Sequence, residues 1–317
     1  MRGPALLAAA VLGVAVAAPS LAPLDPHAQE DLVGARWLAP LTRAILVADG
    51  SHRARVVTDV REETGRWSGL HAGRVVGLDA GQIARAETRF YLLGTDGLGR
   101  DVASRLAFAL RHSVAVVTSS VALALLVGVG LGVAAGLARG PWDPVLMRLV
   151  DVALALPRLL VFLLLATLTR PSLPLIVLVL GLTSWPPAAR LVRAGVRSLR
   201  DGGVALAARA GGSSPARMAL RHLLPELWPL VTVTAALLAA DTIVLEASLA
   251  FLGLGAPPPA ISLGGILAAG RGAPAGSWWI LVWPSALLVA LVLGTRAIAA
   301  RAVPDRAAVR AFAIQGR

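Results

Sequence analysis

The stretch SVAVVTSSVALALLVGVGLGVAAGLA, Ser113–Ala138, runs for 26 residues without a charge. A helix of that length extends about 39 Å, more than the roughly 30 Å hydrocarbon core of a bilayer. Working outward, five further segments read as membrane-spanning: Pro4–Pro23, Val150–Leu168, Leu173–Trp185, Leu227–Phe251 and Trp278–Ala299. Leu173–Trp185 reaches spanning length only by continuing through Pro186 and Pro187, which predicts a kink. Pro4–Pro23 follows Arg2 and is rich in small residues, so on its own it reads equally as a cleavable signal or a first span.

Composition agrees with a membrane protein. Of 317 residues, 56% are hydrophobic and 15% charged, where soluble domains carry about 25% charge. Mean hydropathy is +0.73. So few charges cannot cover so much apolar surface in water, which excludes a soluble enzyme. All 30 basic residues are Arg, and the net charge is +12. In a soluble protein that excess would suggest nucleic acid, but the basic stretches lack interleaved aromatics, so no nucleic-acid partner is expected. The excess is localised instead. Residues 188–226 carry 7 Arg against 2 acids and residues 296–317 carry 5 against 1, whereas 24–111 carry 12 against 11. The positive-inside rule therefore puts the first two in the cytoplasm, next to membrane lipid, and leaves 24–111 outside. Within 24–111, Arg53–Val60 and Arg74–Leu78 alternate as short strands do, which suggests a small extracytoplasmic subdomain.

Catalytic signatures are missing. Without Lys there is no phosphate-binding P-loop, without Cys no disulfide or thiolate, and the five His fall nowhere at metal-ligand spacing. No metal, cofactor or catalytic residue is expected. Asp241 and Glu246 are the ionisable positions within the fifth span. Asp241 lies about 21 Å along the helix from Leu227. A substrate path or ion relay is one reading of this pair; the plainer one gives Asp241 an interhelix hydrogen bond and Glu246 interfacial hydration. Arg148 and Asp151, three apart, read as a local ion pair. Arg190, Arg193, Arg197 and Arg200 line one helix face and read as anchors to lipid headgroups.

The cytoplasmic loop is more specific. In LAARAGGSSPARMALRHLLP, Leu206–Pro225, an Ala-rich helix is broken by Gly211–Gly212. Ser214–Pro215 then supplies an N-cap with Pro at the first helical position. A second short helix, Ala216–Leu224, is expected to end at Pro225. A break and restart of this kind suits a docking element, and a turn of small residues lets another backbone approach.

This segment resembles the EAA coupling loop of ABC importer permeases. GTDGLGRDVASRLAFALRHSV (Gly94–Val114), RLVDVALALPRLL (Arg148–Leu160) and EASLAFLGLGAPPP (Glu246–Pro259) resemble three further blocks, in the same order, of the dipeptide/oligopeptide/nickel permease family, C-type subunit. The likeness runs from about residue 90 to 295.

The resemblance implies an all-α integral membrane fold of six transmembrane helices, like type I ABC importer permeases, with an extracytoplasmic insert between the first two. Residues 1–23 would form the first helix, 24–111 the extracytoplasmic part, 112–300 the permease domain with its coupling loop at 188–226, and 301–317 a cytoplasmic tail. It implies an inner-membrane permease, not an enzyme, that imports peptides or a related small solute by alternating access. The partners would be a second homologous permease, two ATPase subunits that bind the ATP, and an extracytoplasmic binding protein. The coupling positions carry over to Ala207, Ala208, Gly212, Arg217, His222 and Pro225, and the GTDxxGRD positions to Gly94, Thr95, Asp96, Gly99, Arg100 and Asp101, the latter read as structural.

Several positions depart from the family pattern. Leu206 stands where EAA has Glu, Glu226 where Asn usually follows LP, and Leu263-Gly264-Gly265 where WGN is expected. An ion-coupled carrier using Asp241 and Glu246, or a decoupled membrane scaffold, are the alternatives.

Overall fold

The computed structural model describes residues 13, 17, 20, 22–29, 31–49, 54–63, 66–79, 83–138, 141–169 and 171–302. The expected first span, Pro4–Pro23, lies almost wholly outside these residues, as does the tail beyond Ala302. Two compact units emerge from the described residues. One comprises Val114–Glu246 with 290–302, and the other 13–113 with Ala247–Val289.

The second unit carries a five-stranded antiparallel sheet made of β1 (Thr42–Asp49), β2 (Ala54–Glu63), β3 (Arg66–His71), β4 (Arg74–Asp79) and β5 (Ile83–Tyr91), in the order β4-β3-β2-β1-β5. The chain is therefore mostly helical but not all-α. Alternation is the cause. In β1, Ala44 and Leu46 face a small core with Val56, Tyr91 and Ala35, while Leu46 pairs with Val56 and Ile45 with Val57 across the ladder. The two strands read from the sequence correspond to β2 and β4. The loop at Asp31 is tied to this sheet: its carboxylate accepts the N–H groups of Val33 (3.0 Å), Gly34 (2.8 Å) and Val56 (2.6 Å) and lies 3.0 Å from His71 Nε2. Burial pushes the Asp31 carboxyl up, but the three backbone donors together with His71 outweigh it and hold it below its ordinary value.

The helices are α1 (Val102–Leu137), α2 (Trp142–Ala155), α3 (Arg158–Leu168), α4 (Leu173–Leu199), α5 (Gly203–Ala210), α6 (Pro215–Met218), α7 (Leu224–Phe251), α8 (Leu263–Ala269) and α9 (Trp279–Ala302). Among the described residues four helical runs are long and apolar enough to cross a membrane: α1, α4, Pro215–Phe251 and α9. The stretch expected to span at Val150–Leu168 is instead the end of α2 and the whole of α3, separated at Leu156–Pro157. Leu156 is extended, as the residue before a proline prefers. By contrast α4 continues through Pro186 and Pro187 to Leu199.

In the first unit α1 and α4 meet closely because α1 offers a glycine face. A Cβ at Gly128 would lie 2.7 Å from the Trp185 carbonyl, one at Gly132 2.7 Å from that of Ala189, and one at Gly136 2.6 Å from Val196. Glycine every fourth residue lets two helix backbones approach where lipid supplies no hydrophobic drive.

Candidate functional site

The segment Gly94–Asp101 folds into a closed knot. Asp96 is buried, 1% exposed. Its carboxylate accepts the N–H groups of Leu98 (2.9 Å) and Arg100 (3.0 Å) and the Arg100 guanidinium (2.8 Å), with Arg105 Nε 3.4 Å away. Thr95 donates its hydroxyl to the Ala35 carbonyl at 2.5 Å and accepts the Leu38 N–H at 2.8 Å, while Trp279 Nε1 donates to the Thr95 carbonyl at 3.1 Å. Asp101 caps α1 by accepting the Ser104 N–H at 2.7 Å. Gly94 and Gly99 have φ of +82° and +73°. This geometry binds the chain to itself: among the described residues the side chains of Thr95 and Asp96 are engaged by Ala35, Leu38, Leu98 and Arg100, next to the Asp101 cap of α1.

The segment 203–225 has the opposite character. α5 ends at Gly211, after which the Gly212 N–H donates to the Arg209 carbonyl (2.9 Å) and the Ser213 N–H to that of Ala208 (3.0 Å). This is a Schellman turn with Gly212 at φ +71°. Ser214 then caps α6, its hydroxyl accepting the Arg217 N–H at 3.3 Å, with Pro215 at the first turn. The second helix does not stop at Pro225. A π-helical turn, Ala219–Leu223, follows α6, and the Leu224 N–H donates to the carbonyl of Ala219. That wider turn absorbs the missing N–H of Pro225, so the helix runs on through Pro225 into α7.

The inward side of this loop is anchored in a core. Ala205, Met218 and Leu223 are buried with Val192, Val196, Leu227 and Val231. The outward side carries Leu206 (55% exposed) and Leu220 (67% exposed), with Ala207, Ala210, Gly211, Gly212, Ala216, Arg217 and Arg221 also exposed. Ala208 and His222 are half-buried, and Pro225 is exposed.

The arginine row on α4 is engaged within the chain rather than free for headgroups. Arg193 holds Asp143 through two bonds, at 2.5 and 2.7 Å, and Arg197 lies 3.3 Å from the same carboxylate. Arg200 donates to the carbonyls of Gly136 and Ala138, the open end of α1, and its own carbonyl accepts from Arg209 of α5 at 2.6 Å. Asp151 bonds Arg190 at 2.6 Å, replacing the expected pair with Arg148. The backbone break at Leu156–Pro157 leaves α2 a separate short helix, and it is this helix that carries Asp143 and Asp151 to α4.

Asp241 and Glu246 of α7 reverse the settings that the plainer reading gives them. Glu246 is buried, 3% exposed, and partnered, whereas Asp241 is exposed and accepts no hydrogen bond among the described residues. Asp241 shares its helix face with exposed Leu237 and Val244. Asp143 and the glycines of α1 were not singled out from the sequence. The spacing Gly128-x3-Gly132-x3-Gly136 was a legible signal; the Asp143–Arg193 pair, 50 residues apart, left none.

Residues 128–304 match the family model described as binding-protein-dependent transport system inner membrane component. A Brucella suis biovar 1 protein named as a peptide permease is 39% identical over 203 residues, 63% of this chain and 67% of its own length. The di/tripeptide transport system permease protein DppC of Pseudomonas aeruginosa is 36% identical over 203 residues, 64% of this chain and 67% of its own. Among solved structures, inward-facing conformations of the MetNI methionine ABC transporter share the fold, with TM-scores of 0.50 and 0.51 at 18% and 19% identity, covering 63% of this chain and 97% and 96% of theirs.

Proposed function

This chain belongs to the binding-protein-dependent transport system inner membrane component family, and from that premise we propose that it carries peptides or a related small solute inward by alternating access. The chain is a permease subunit of an ABC importer and a multi-pass protein of the inner membrane. Such a subunit works with an ATPase and a binding protein. In the proposed assembly it pairs with a second, related permease, and two ATPase subunits hold the ATP. Six crossings would be made by 4–23, α1, the broken pair α2–α3, α4, the run Pro215–Phe251 and α9. The sheet and the Gly94–Asp101 knot would lie outside, with 188–226 and the tail in the cytoplasm.

The observation that carries this reading is the loop 203–225, capped at both helix ends, anchored on one side and open on the other. ATP-driven closure of the ATPases would move it, and α4 and α7, with which it shares a core, would tilt in response. Asp241, on an uncovered face of α7, would look toward the partner permease or the aqueous pathway, since a carboxylate facing lipid costs about 2.5–3.5 kcal/mol.

The test is Gly212→Trp in a complex purified by a tag on this chain. A Cβ at Gly212 meets nothing within 4 Å, so the side chain has room in the isolated subunit; beyond the about 1–2 kcal/mol that an L-residue costs at φ +71°, which Gly212→Ala shares, it obstructs a docked partner. Loss of ATPase from an otherwise monodisperse complex is expected. Intact association and transport would refute the coupling role.

A further inference from the structure

We propose that the ATPase surface receiving this loop is an apolar socket with an acidic rim: Leu206 fills the socket, and Arg217 and Arg221 meet carboxylates around it. The inference rests on the coupling reading above and specifies the partner's chemistry.

Three observations converge. First, the loop's own packing is already satisfied on its inward side by Ala205, Met218 and Leu223, so Leu206, 55% exposed in the middle of α5, contributes nothing to the core of this chain. It is held on a helix whose C-terminus is closed by a Schellman turn, which leaves little to be ordered on docking. Second, its exposed neighbours Ala207, Ala210, Gly211, Gly212 and Ala216 have almost no side chain. Leu206 therefore projects from a flat floor that a partner backbone can reach. Third, the charge has one sign. Between Gly202 and Pro225 there are Arg209, Arg217, Arg221 and His222 and no carboxylate. Arg209 is bonded to the Arg200 carbonyl. The guanidinium groups of Arg217 and Arg221 are exposed and have no partner among the described residues.

The sign of the surface follows from these observations. The Glu of the EAA pattern, were it present at 206, would call for a cation on the partner. Leu206 calls for an apolar surface, because a charge of either sign facing it would be desolvated without a counter-charge; the acidic sign of the rim comes from Arg217 and Arg221. Apolar contact at the centre and basic residues at the edge are the layout of an interface with a hydrophobic core and a charged rim. The acidic residues nearest in sequence are Asp201, engaged by Arg200 at 3.2 Å, and Glu226, at the two ends of the segment. Neither is paired with Arg217 or Arg221 among the described residues.

The test uses the full complex, this chain co-expressed with its partner permease and ATPase subunits, with ATPase recovery read after purification by a tag on this chain. L206E, which restores the family's usual residue, is expected to lower recovery by about tenfold or more, the loss that follows from burying an unpaired charge. L206M should stay within about twofold, as a volume-conserving change does. R217E/R221E should also lower recovery, and wild-type recovery should fall with added salt. All three positions are exposed or on the outer face, and size-exclusion profiles identify any variant that misfolds, for which L206Q or R217Q/R221Q is substituted.

Recovery with L206E at or above wild type overturns the proposal. So does an effect of R217E/R221E that appears only in nanodiscs containing anionic lipid, which would assign the basic residues to the bilayer surface. Deletion of 206–225 separates the two levels. If wild type and deletion recover ATPase equally, the coupling reading itself fails; if the deletion alone abolishes recovery while L206E does not, only the apolar socket fails.

Discussion

Two turns in this molecule are built on glycines in the same left-handed conformation, and they differ in what surrounds them. At Gly94 (φ +82°) a Cβ would stand 2.6 Å from the Leu38 carbonyl and 2.8 Å from Trp279 Nε1, and at Gly99 (φ +73°) 2.8 Å from the Asp31 carbonyl. At Gly212 (φ +71°) it would meet nothing within 4 Å. The first turn needs glycine for its backbone and for the space its own chain occupies. The second needs it for the backbone alone, and the space stays open. The neighbouring side chains follow the same division: Thr95, Asp96 and Asp101 are turned inward and bonded, whereas Leu206, Arg217 and Leu220 are turned outward. A region that uses its polar groups on itself holds the fold, and one that leaves its groups unused awaits a partner.

The largest expected difference between the two regions is at Asp96. Asp96→Ala leaves Arg105 and Arg100 with a buried charge and no counter-ion, a loss of about 3–5 kcal/mol. It should lower the melting temperature of the detergent-solubilised protein sharply or prevent recovery of monodisperse material. Arg217→Ala, on the open loop, should change stability by less than about 0.5 kcal/mol. Equal effects of the two variants on thermal unfolding would erase the distinction between the regions.

The paired glycines sharpen the comparison. An L-residue in the left-handed region costs about 1–2 kcal/mol at either turn. Gly212→Ala should show that cost alone. Gly94→Ala should add about 1–3 kcal/mol of overpacking against Leu38 and Trp279. Melting temperatures of the two variants side by side would check this, and a larger drop for Gly212→Ala would contradict it.

Ser214→Ala comes next. It removes the hydroxyl that accepts the Arg217 N–H and should cost about 1 kcal/mol of local helix stability. The effect should appear as faster amide exchange at residues 216–218 with global unfolding hardly moved, because the loop can fray without opening the core beneath it.

How far the sequence could be read follows from what kind of signal each feature leaves. Spans such as Ser113–Ala138 announce themselves by length and lack of charge, and the turn at Gly211–Pro215 by local chemistry that needs no distant partner. Strands β2 and β4 were visible as alternation, but β1, β3 and β5 were not, since pairing registers such as Leu46 with Glu87 are long-range facts. The fate of Arg190, Arg193, Arg197 and Arg200 was misjudged for the same reason. Their common face was legible, but the carboxylates that claim it arrive on α2, a helix set apart by the break at Leu156–Pro157. Pro225 looked like a stop because proline ends most helices, and only the π turn before it shows how the helix passes. The knot at Gly94–Asp101 was read as structural from a motif; its reason, a buried Asp96 joined to Arg100 and Arg105, is a matter of geometry.

The smallest expected effect, at Asp101, tests whether the closed region is fully satisfied. Asp101 is 2% exposed; its Oδ2 caps α1, but its Oδ1 has no hydrogen-bond partner among the described residues. Burial pushes its carboxyl above the ordinary value, against the hydrogen bonds from Ser104 and Ala103. A carboxyl raised in the folded state favours folding fully below its unfolded value of about 3.9, and that contribution is lost as pH rises through the folded value. Asp101→Asn keeps an equally good N-cap and cannot titrate. The melting temperatures of variant and wild type should therefore lie close near pH 4 and separate above it, with the variant higher at neutral pH. Asp31, whose carboxyl is shifted the other way, is common to both proteins and cancels from the difference. A variant that is less stable at neutral pH than at pH 4, relative to wild type, would mean that the ionised Asp101 is paired after all and that the closed region leaves nothing unsatisfied.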